Sequence, residues 1–232
     1  MRNVALILIV ASSALMACGS DTTVAAPANE QDKGVTGDGQ GSTVTGTEKN
    51  PYGVDYPTDG IGTSVGSRMQ NFKFLGYKDG NSAGGLVPVS LADYFDPETK
   101  QYKLIHVQAA GVWCGPCQKE MELVAPLADQ LKTRKVVWVT AVVEGRSQGV
   151  ASTRDDLDLW VRSFKAPYTQ VLDPGNANLG VFYDRAAIPW NCDLDARTMR
   201  ILYSGTGAPA SEASLLKDLD DRIKQIDATP AK

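Results

Sequence analysis

The chain has 232 residues, of which 43% are hydrophobic, and a formal net charge of −4 with a single histidine. This composition is sufficient for one packed domain with extensions. Because the chain has no Lys/Arg cluster, it offers no electrostatic basis for binding nucleic acid, and one histidine restricts its metal and acid–base chemistry.

Residues 1–17 have the organisation of a lipoprotein signal peptide. Arg2 supplies the positive start, and residues 4–10 form an apolar stretch that is too short to span a bilayer. Leu15-Met16-Ala17-Cys18 then resembles the bacterial lipobox, in which the cysteine becomes the acylated first residue of the mature protein. Cys18 is therefore the predicted lipidation site. The alternative is an ordinary signal peptide with a coincidental cysteine.

Residues 18–50 are rich in Gly, Ser, Thr, Asp and Asn and contain almost no large apolar side chain. Such a segment cannot bury enough surface to offset the entropy of ordering it, so we predict a flexible, lipid-anchored linker. Residues 51–67 place Tyr52, Tyr56 and Ile61 among turn residues and predict an irregular lead-in that packs loosely on the domain.

Residues 68–228 alternate between strand-like and helix-like patterns. The predicted strands cover residues 71–76, 104–109, 136–143, 168–172, 189–194 and 199–204. The predicted helices cover residues 114–133, a segment starting at 153, 176–183 and 211–226, with one helical turn at 89–94. Thr153 and Asp156 form a predicted capping box. This alternation predicts an α/β domain with a central mixed sheet flanked by helices.

Trp113-Cys114-Gly115-Pro116-Cys117 carries the most specific chemistry in the sequence. Two thiols separated by two residues can form and reopen a small disulfide. The motif follows the apolar run 103–107 and precedes the helical run 118–123, so it lies at a strand-to-helix junction. A helix N-terminus favours an anion, which helps Cys114 ionise to the thiolate that attacks disulfides. The motif therefore predicts a redox site.

With this motif the chain resembles the thioredoxin superfamily and, within it, the TlpA-like membrane-anchored thiol–disulfide oxidoreductases. The resemblance covers residues 70–227, roughly two thirds of the chain. The features that carry it occur in the family's order. They are the lead-in Asn71-Phe72-Lys73-Phe74, the motif Trp113–Cys117, Lys119-Glu120 after the second cysteine, Ile188-Pro189 before the penultimate strand, and Gly205 at the end of the last strand. The implied fold is thioredoxin-like, preceded by the N-terminal tether.

The resemblance implies a role for each residue of the motif. Cys114, the more exposed thiol, is the nucleophile, and Cys117 resolves the mixed disulfide, so that the two form a Cys114–Cys117 redox disulfide. Gly115 and Pro116 separate them, and Trp113 covers the flank of the disulfide.

Two further residues complete the implied site. Pro189 is predicted to follow a cis peptide bond and to shape the groove for the partner chain. Glu120 lies one turn beyond Cys117, where it either moves protons or is a solvated helix charge; the sequence leaves both readings open.

The chain also departs from thioredoxin in three places. Gln108, which cannot ionise, stands where cytoplasmic thioredoxins have a buried Asp, and TlpA-like proteins often have Asn there. The residues just before the motif, which are rich in aromatic side chains in the family, are Ala109-Ala110-Gly111 in this chain. The proline that thioredoxins have in the following helix stands later here, as Pro126. These differences bear on partner preference and redox potential rather than on the fold.

The remaining cysteine and the histidine suggest structural roles. Cys192 lies within an apolar strand after Pro189, which favours a buried, inert thiol; a third redox thiol is the alternative. His106 lies on the predicted strand 104–109 and is more typical of a structural histidine than of a ligand. Because the sequence has no second CxxC and no His pair, zinc is not expected, and we expect neither a metal nor another cofactor.

Two other functions compete with disulfide exchange. A peroxiredoxin-type peroxidase requires a Thr three residues before its reactive cysteine, and Gly111 occupies that position. The second alternative is a non-enzymatic lipoprotein in which the disulfide is structural and the fold serves as a binding module.

The resemblance and the N-terminus together predict a place of action and a set of partners. We expect a monomer in the bacterial cell envelope, facing the periplasm and anchored in the lipid membrane through Cys18. Gly19, rather than Asp, favours the outer over the inner membrane under the usual sorting rule. Gly-Pro between the cysteines favours a reductase. The expected partners are disulfide-containing envelope proteins or small disulfides and an upstream membrane electron donor.

Overall fold

The computed structural model describes residues 48–230. The predicted signal peptide, Cys18 and the predicted linker up to residue 47 lie outside the described residues. The chain is irregular from residue 48 to 67. Asn50 is nonetheless buried, and its amide donates a hydrogen bond of 3.0 Å to the Phe95 carbonyl, so this part of the chain already contacts the domain.

Within residues 48–230, seven strands form one mixed sheet in the order β2-β1-β5-β4-β3-β6-β7. The strands are β1 (Lys73–Tyr77), β2 (Val87–Ser90), β3 (Leu104–Gly111), β4 (Val136–Glu144), β5 (Thr169–Leu172), β6 (Trp190–Asp195) and β7 (Arg200–Thr206). The central strands β3, β4 and β5 are parallel, whereas β1, β2, β6 and β7 pair antiparallel with their neighbours. The predicted α/β fold with a mixed sheet and flanking helices is confirmed.

The α-helices are α1 (Gly115–Val124), α2 (Ala128–Thr133), α3 (Arg154–Phe164) and α4 (Glu212–Ala228). α3 begins at the predicted capping box: the Thr153 hydroxyl accepts from the Asp156 N–H at 3.3 Å, and the Asp156 carboxylate accepts from the Thr153 N–H at 2.9 Å. Among the described residues, no helix has the length and apolar character needed to cross a bilayer.

The sheet separates two hydrophobic cores, and successive side chains of the central strands point alternately into one and the other. On β3, Leu104 and Ala110 face the core that contains the four helices and both cysteines of the motif. Ile105, Val107 and Ala109 face the opposite core, which is covered by the lead-in and by short 3₁₀ turns. Each large apolar side chain buried in these cores contributes roughly 1.5–3 kcal/mol to folding.

Three predicted elements differ in detail. The predicted helix 114–133 is interrupted by a 3₁₀ turn at Ala125–Leu127, because Pro126 cannot donate a helix hydrogen bond. The predicted helical turn 89–94 is a 3₁₀ turn at Leu91–Tyr94 only, because Val89 and Ser90 belong to the edge strand β2, whose Pro88 weakens the strand-like signal. The predicted helix 176–183 consists of 3₁₀ turns at Pro174–Asn176 and Leu179–Val181.

Candidate active site

The CxxC motif occupies the junction between β3 and α1. β3 ends at Gly111, and Cys114 is the N-cap of α1, with extended backbone angles. The Cys117 N–H points at Cys114 Sγ over 3.1 Å. Pro116 lies in the first turn of the helix, where its missing N–H costs nothing. The Cys114 sulfur therefore occupies the position at which a helix N-terminus stabilises negative charge.

Cys114 and Cys117 form a disulfide with a Cα–Cα distance of 5.3 Å. The expectation that Cys114 is the more exposed of the two does not hold in this oxidised form, because the residues are 1% and 0% exposed. Gly115 and Pro116, between them, are exposed. The assignment of Cys114 as nucleophile consequently depends on its N-cap position rather than on its accessibility.

The Ile188–Pro189 peptide bond is cis and faces the disulfide. The Ile188 carbonyl oxygen lies 3.6 Å from Cys114 Sγ. Pro189 is buried and immediately precedes β6, the neighbour of β3 in the sheet. The cis bond and the CxxC motif, 74 residues apart, thus form one surface around the sulfur atoms.

Trp113 is held beside the disulfide by the end of β4. Its indole Nε1–H donates a 2.6 Å hydrogen bond to the buried carboxylate of Glu144, and its backbone N–H donates to the Gly145 carbonyl at 3.1 Å. A charge-assisted hydrogen bond of this kind fixes the plane of the ring. Sequence reasoning missed Glu144; the available signal was a carboxylate at the end of a buried strand adjacent to β3.

Glu120 is 1% exposed, so the alternative of a solvated helix charge is wrong. Its Oε2 accepts hydrogen bonds from Gln108 Nε2 at 2.8 Å and Asn191 Nδ2 at 3.3 Å. Gln108 in turn accepts from the Thr140 hydroxyl at 2.9 Å, which fixes the orientation of its amide. The strand residue Gln108 therefore contacts a buried carboxyl group that is supplied by α1.

Glu120 belongs to a larger buried polar network. Asn191 Nδ2 also donates to the Gly207 carbonyl at 3.1 Å, so its Oδ1 faces His106 Nε2 at 3.1 Å. The other ring nitrogen of His106, Nδ1, lies 2.8 Å from Asp193 Oδ1. His106 is thus hydrogen-bonded at both nitrogens, a structural arrangement that also places it near the active-site carboxyl group.

The electrostatic state of Glu120 follows from this position. Burial raises the pKa of its carboxyl group above the ordinary value, because the charged form loses hydration. The neighbouring His106 and the hydrogen bonds from Gln108 and Asn191 act in the opposite direction but do not cancel the effect of burial. A carboxyl group with a raised pKa close to the resolving cysteine is suited to exchanging protons with it.

Cys192 lies on the opposite face of the sheet from the disulfide. It is a free thiol on β6, fully buried in the core that contains Val107 and Leu194. Burial raises the pKa of this thiol well above its ordinary value. Such a thiol reacts slowly, and the sheet separates it from Cys117.

The network could have been noticed from the periodicity of two strands. His106 and Gln108 alternate with apolar residues on β3, and Asn191 and Asp193 do so on β6. These four side chains are paired across the two strands, so they face the same side of the sheet. Residues 48–230 contain no group of three or more His, Cys, Asp or Glu side chains arranged to hold a metal ion.

No protein-family model and no curated protein sequence matches the chain, but solved structures do. The thioredoxin domain of a thiol–disulfide oxidoreductase from Bacteroides vulgatus is similar over 69% of this chain and 98% of that chain, with 15% identity and a TM-score of 0.51. A Chlorobium tepidum protein assigned as the thiol:disulfide interchange protein DsbE is similar over 70% and 99%, with 15% identity and a TM-score of 0.53.

Similarity extends to a peroxidase family. The reduced 2-Cys peroxiredoxin of Plasmodium vivax is similar over 70% of this chain and 98% of that chain, with 14% identity and a TM-score of 0.53. At such identities the similarity establishes the fold. The chain therefore has the thioredoxin-like fold expected from its motifs, and it carries a CxxC disulfide at the N-terminus of α1.

Proposed function

We propose that the protein is a thiol–disulfide oxidoreductase of the TlpA-like type that acts as a disulfide reductase in the bacterial cell envelope. The observation that carries the proposal is the Cys114–Cys117 disulfide at a helix N-terminus, with the cis Ile188–Pro189 peptide 3.6 Å from the first sulfur. A purely structural disulfide does not require either feature.

The first step is attack by the Cys114 thiolate on a disulfide of the partner. A bond forms between Cys114 Sγ and one partner sulfur, and the other partner sulfur leaves as a thiolate that takes a proton from solvent. The partner chain is positioned by the exposed rim around Gly115 and Pro116 and by the cis peptide of Pro189. Trp113, held by Glu144, shields one side of the mixed disulfide.

In the second step Cys117 releases the reduced partner. Its thiol gives a proton, directly or through one water, to the Glu120 carboxylate, three residues along the same helix, where Cβ atoms lie about 5–6 Å apart. The Cys117 thiolate then attacks Cys114 Sγ, closes the Cys114–Cys117 disulfide and expels the second partner sulfur as a thiolate. Two electrons pass from the dithiol to the partner, and Glu120 retains one proton.

The reducing direction and the envelope location rest on the sequence. Gly115-Pro116 between the cysteines favours reducing members of the superfamily, and the lipobox-like segment ending at Cys18 favours a lipid-anchored protein facing the periplasm. Stable disulfides are common in that compartment, so a membrane electron donor must keep the dithiol reduced. Envelope proteins with disulfides, or small disulfides, are the proposed substrates.

Insulin reduction by dithiothreitol tests the activity. The wild-type protein is expected to accelerate it, Cys114→Ser to abolish the acceleration, and Cys117→Ser to accumulate mixed disulfides at Cys114. Cys192→Ser is the matched control, because this thiol lies on the other face of the sheet, and it should retain the activity. A wild-type protein no faster than dithiothreitol alone, combined with a loss of stability in Cys114→Ser, would support the structural disulfide instead.

The reduction potential of the Cys114–Cys117 pair tests the direction. A reductase should lie near thioredoxin, at about −270 mV, whereas an oxidant lies near about −120 mV. Equilibration with glutathione buffers followed by thiol alkylation measures it. A value at the oxidising end contradicts the reductase assignment while leaving the oxidoreductase activity intact.

The peroxiredoxin-like fold makes peroxidase activity a necessary comparison. Gly111 supplies no hydroxyl at the position of the peroxidase Thr, and a side chain there would have its Cβ 3.0 Å from the side chains of Ile188 and Trp113, so a Thr fits only if these shift. Peroxide consumption in the presence of dithiothreitol should therefore not exceed that of Cys114→Ser.

A further inference from the structure

Two loops extend past the edge of the sheet that carries the disulfide. Arm 1 (residues 145–151) follows β4, and arm 2 (residues 173–187) follows β5. These strands are parallel to β3, and the last residue of β3, Gly111, pairs with the last residue of β4, Glu144. Binding sites of open α/β sheets lie outside the carboxyl ends of such strands. The two arms and the disulfide therefore share the edge of the sheet at which a partner is expected to bind.

Arm 1 is fixed by backbone hydrogen bonds and is joined to Trp113. Its Gly145 N–H donates to the Val150 carbonyl at 2.8 Å. Ala151 pairs with Glu144 at the end of β4, and the Gly145 carbonyl accepts from the Trp113 N–H at 3.1 Å. Val150 is nonetheless 55% exposed. Arm 1 thus presents an apolar side chain on a loop whose position is tied to the active site.

Arm 2 is fixed by a buried carboxylate at its start and by an aromatic stack near its end. The two oxygens of Asp173, which is fully buried, accept from the N–H groups of residues 178 and 179 at 2.8 and 2.9 Å. The ring of Tyr183 stacks on that of Trp190, the residue after the cis-proline, with ring centroids 5.2 Å apart. Val181 lies between these two attachments and is 63% exposed, more than any other large apolar side chain of residues 48–230.

The two arms touch each other and continue the surface around the disulfide. A Cβ atom at Gly175 of arm 2 would lie 3.7 Å from Ala151 Cβ of arm 1. Arm 2 leads directly into Ile188, which is half-buried like Trp113. Both of these side chains approach to 3.0 Å of the position that a Cβ would take at Gly111. An apolar surface therefore continues from Trp113 and Ile188 onto the arms.

The charges of the two arms balance. The charged residues are Arg146 on arm 1 and Asp173, Asp184 and Arg185 on arm 2. Two positive and two negative groups do not select a partner of either sign, so recognition depends on the exposed apolar side chains. Removing such side chains from water on contact stabilises a complex roughly in proportion to the apolar area covered.

We propose that the two arms form a docking surface for an extended polypeptide that carries apolar side chains near its cysteine, so that the substrates are polypeptides rather than small disulfides. The inference rests on the proposed function, since it concerns the partner of the same disulfide exchange. A disulfide of a few atoms that reaches Cys114 has nothing left to contact Val150 and Val181. An extended chain advances about 3.3 Å per residue and reaches the arms within a few residues of its cysteine.

The test compares two homodimeric peptide disulfides of equal length and charge. One has leucine and valine on both sides of its cysteine, and the other has serine and glycine. The second-order rate constant of the reduced protein with each peptide is divided by that of dithiothreitol, which removes the intrinsic reactivity of the disulfide. The preference is the ratio of the two results, and it does not depend on the fraction of a variant that folds.

The wild-type protein is expected to prefer the apolar peptide about tenfold, which corresponds to about 1.4 kcal/mol. Val150→Asp and Val181→Asp should each lower the preference about threefold, roughly the effect of losing one buried methylene contact, and the double variant should bring it near one. Val65→Asp is the matched control, because Val65 is 60% exposed on the lead-in, outside both arms, and it should keep the wild-type preference.

Three results would overturn the docking surface: a wild-type preference near one, a wild-type preference retained in the double variant, or an equal loss in Val65→Asp. Hydroxyethyl disulfide separates this inference from the proposed function, because any accessible CxxC dithiol reduces it. A wild-type protein that reduces it without preferring the apolar peptide rejects the docking surface alone. One that reduces neither it nor the peptides rejects the proposed function and the docking surface with it.

Discussion

The carboxyl group of Glu120 is buried. Its Oε2 accepts two hydrogen bonds, whereas its Oε1 has no hydrogen-bond partner among the protein atoms. Its pKa is raised by burial, so the folded protein holds this proton more tightly than the unfolded chain does. As pH rises, the unfolded chain therefore loses this proton at a lower pH than the folded protein does. The free energy of unfolding falls over the pH range between 4.5, the ordinary carboxyl pKa, and the higher pKa of the folded state.

Glu120→Gln is therefore expected to raise the free energy of unfolding at pH 7. Each unit by which the folded pKa exceeds the unfolded one corresponds to about 1.4 kcal/mol. Urea unfolding of the oxidised protein at pH 7 and pH 3.5 measures the difference, which should disappear at the lower pH. Glu122→Gln, an exposed position on the same helix, is the control and should change little at either pH.

A second prediction concerns the hydrogen bond between Trp113 and Glu144. Glu144→Leu leaves the indole N–H without an acceptor and should cost about 1–2 kcal/mol of stability. Glu144→Gln keeps an acceptor oxygen and should cost clearly less. Urea unfolding and the tryptophan emission spectrum compare the two variants. Equal losses in both would show that the hydrogen bond does not fix the ring.

At the scale of elements, the helix starts are set by short local signals. The Thr153–Asp156 capping box begins α3, and its two hydrogen bonds satisfy two N–H groups that the helix cannot. Thr153→Ala is expected to destabilise the domain by about 1 kcal/mol in urea unfolding, and Thr153→Ser to retain most of the stability. A loss as large in Thr153→Ser would assign the effect to packing of the threonine methyl group.

Some of the strands and helices could be predicted from the sequence and others could not. β4 is a long β-branched run and β3 is mostly apolar with His106 and Gln108 interspersed, so both strands could be predicted from the sequence. β2 could not, because it is an edge strand containing Pro88 whose pairing with β1 is a tertiary contact. The break in the predicted helix 114–133 follows from Pro126, which is visible in the sequence as a displaced helix proline.

The active site likewise has a part that could be predicted from the sequence and a part that could not. Cys114 and Cys117 are local in sequence, and a redox site could be predicted from their spacing and their place at a strand-to-helix junction, with the role of each cysteine implied by the family resemblance. The surroundings of Glu120 could not, because Gln108, Asn191 and Glu120 come from three elements whose side chains meet only through sheet register. Local pattern therefore identified the reactive atoms, and tertiary structure determined the environment that tunes them.

At the scale of the whole molecule, acylation at Cys18 would determine where the proposed reaction takes place. Cys18→Ala is expected to move the protein from the membrane fraction to the soluble fraction of a bacterial host. Cys192→Ala, which also removes a thiol, should leave the distribution unchanged. Fractionation with metabolic labelling by palmitate measures both, and a membrane-bound, unlabelled wild-type protein would contradict acylation at Cys18.

The buried thiol of Cys192 can report how often the folded domain opens. Its thiol is fully buried on the face of the sheet opposite the disulfide, so an alkylating reagent reaches it only when the core on that face opens. The labelling rate of this one peptide, followed by mass spectrometry in native buffer, thus measures the frequency of that excursion. Compared between the oxidised and reduced forms, it shows whether each redox cycle also loosens the domain.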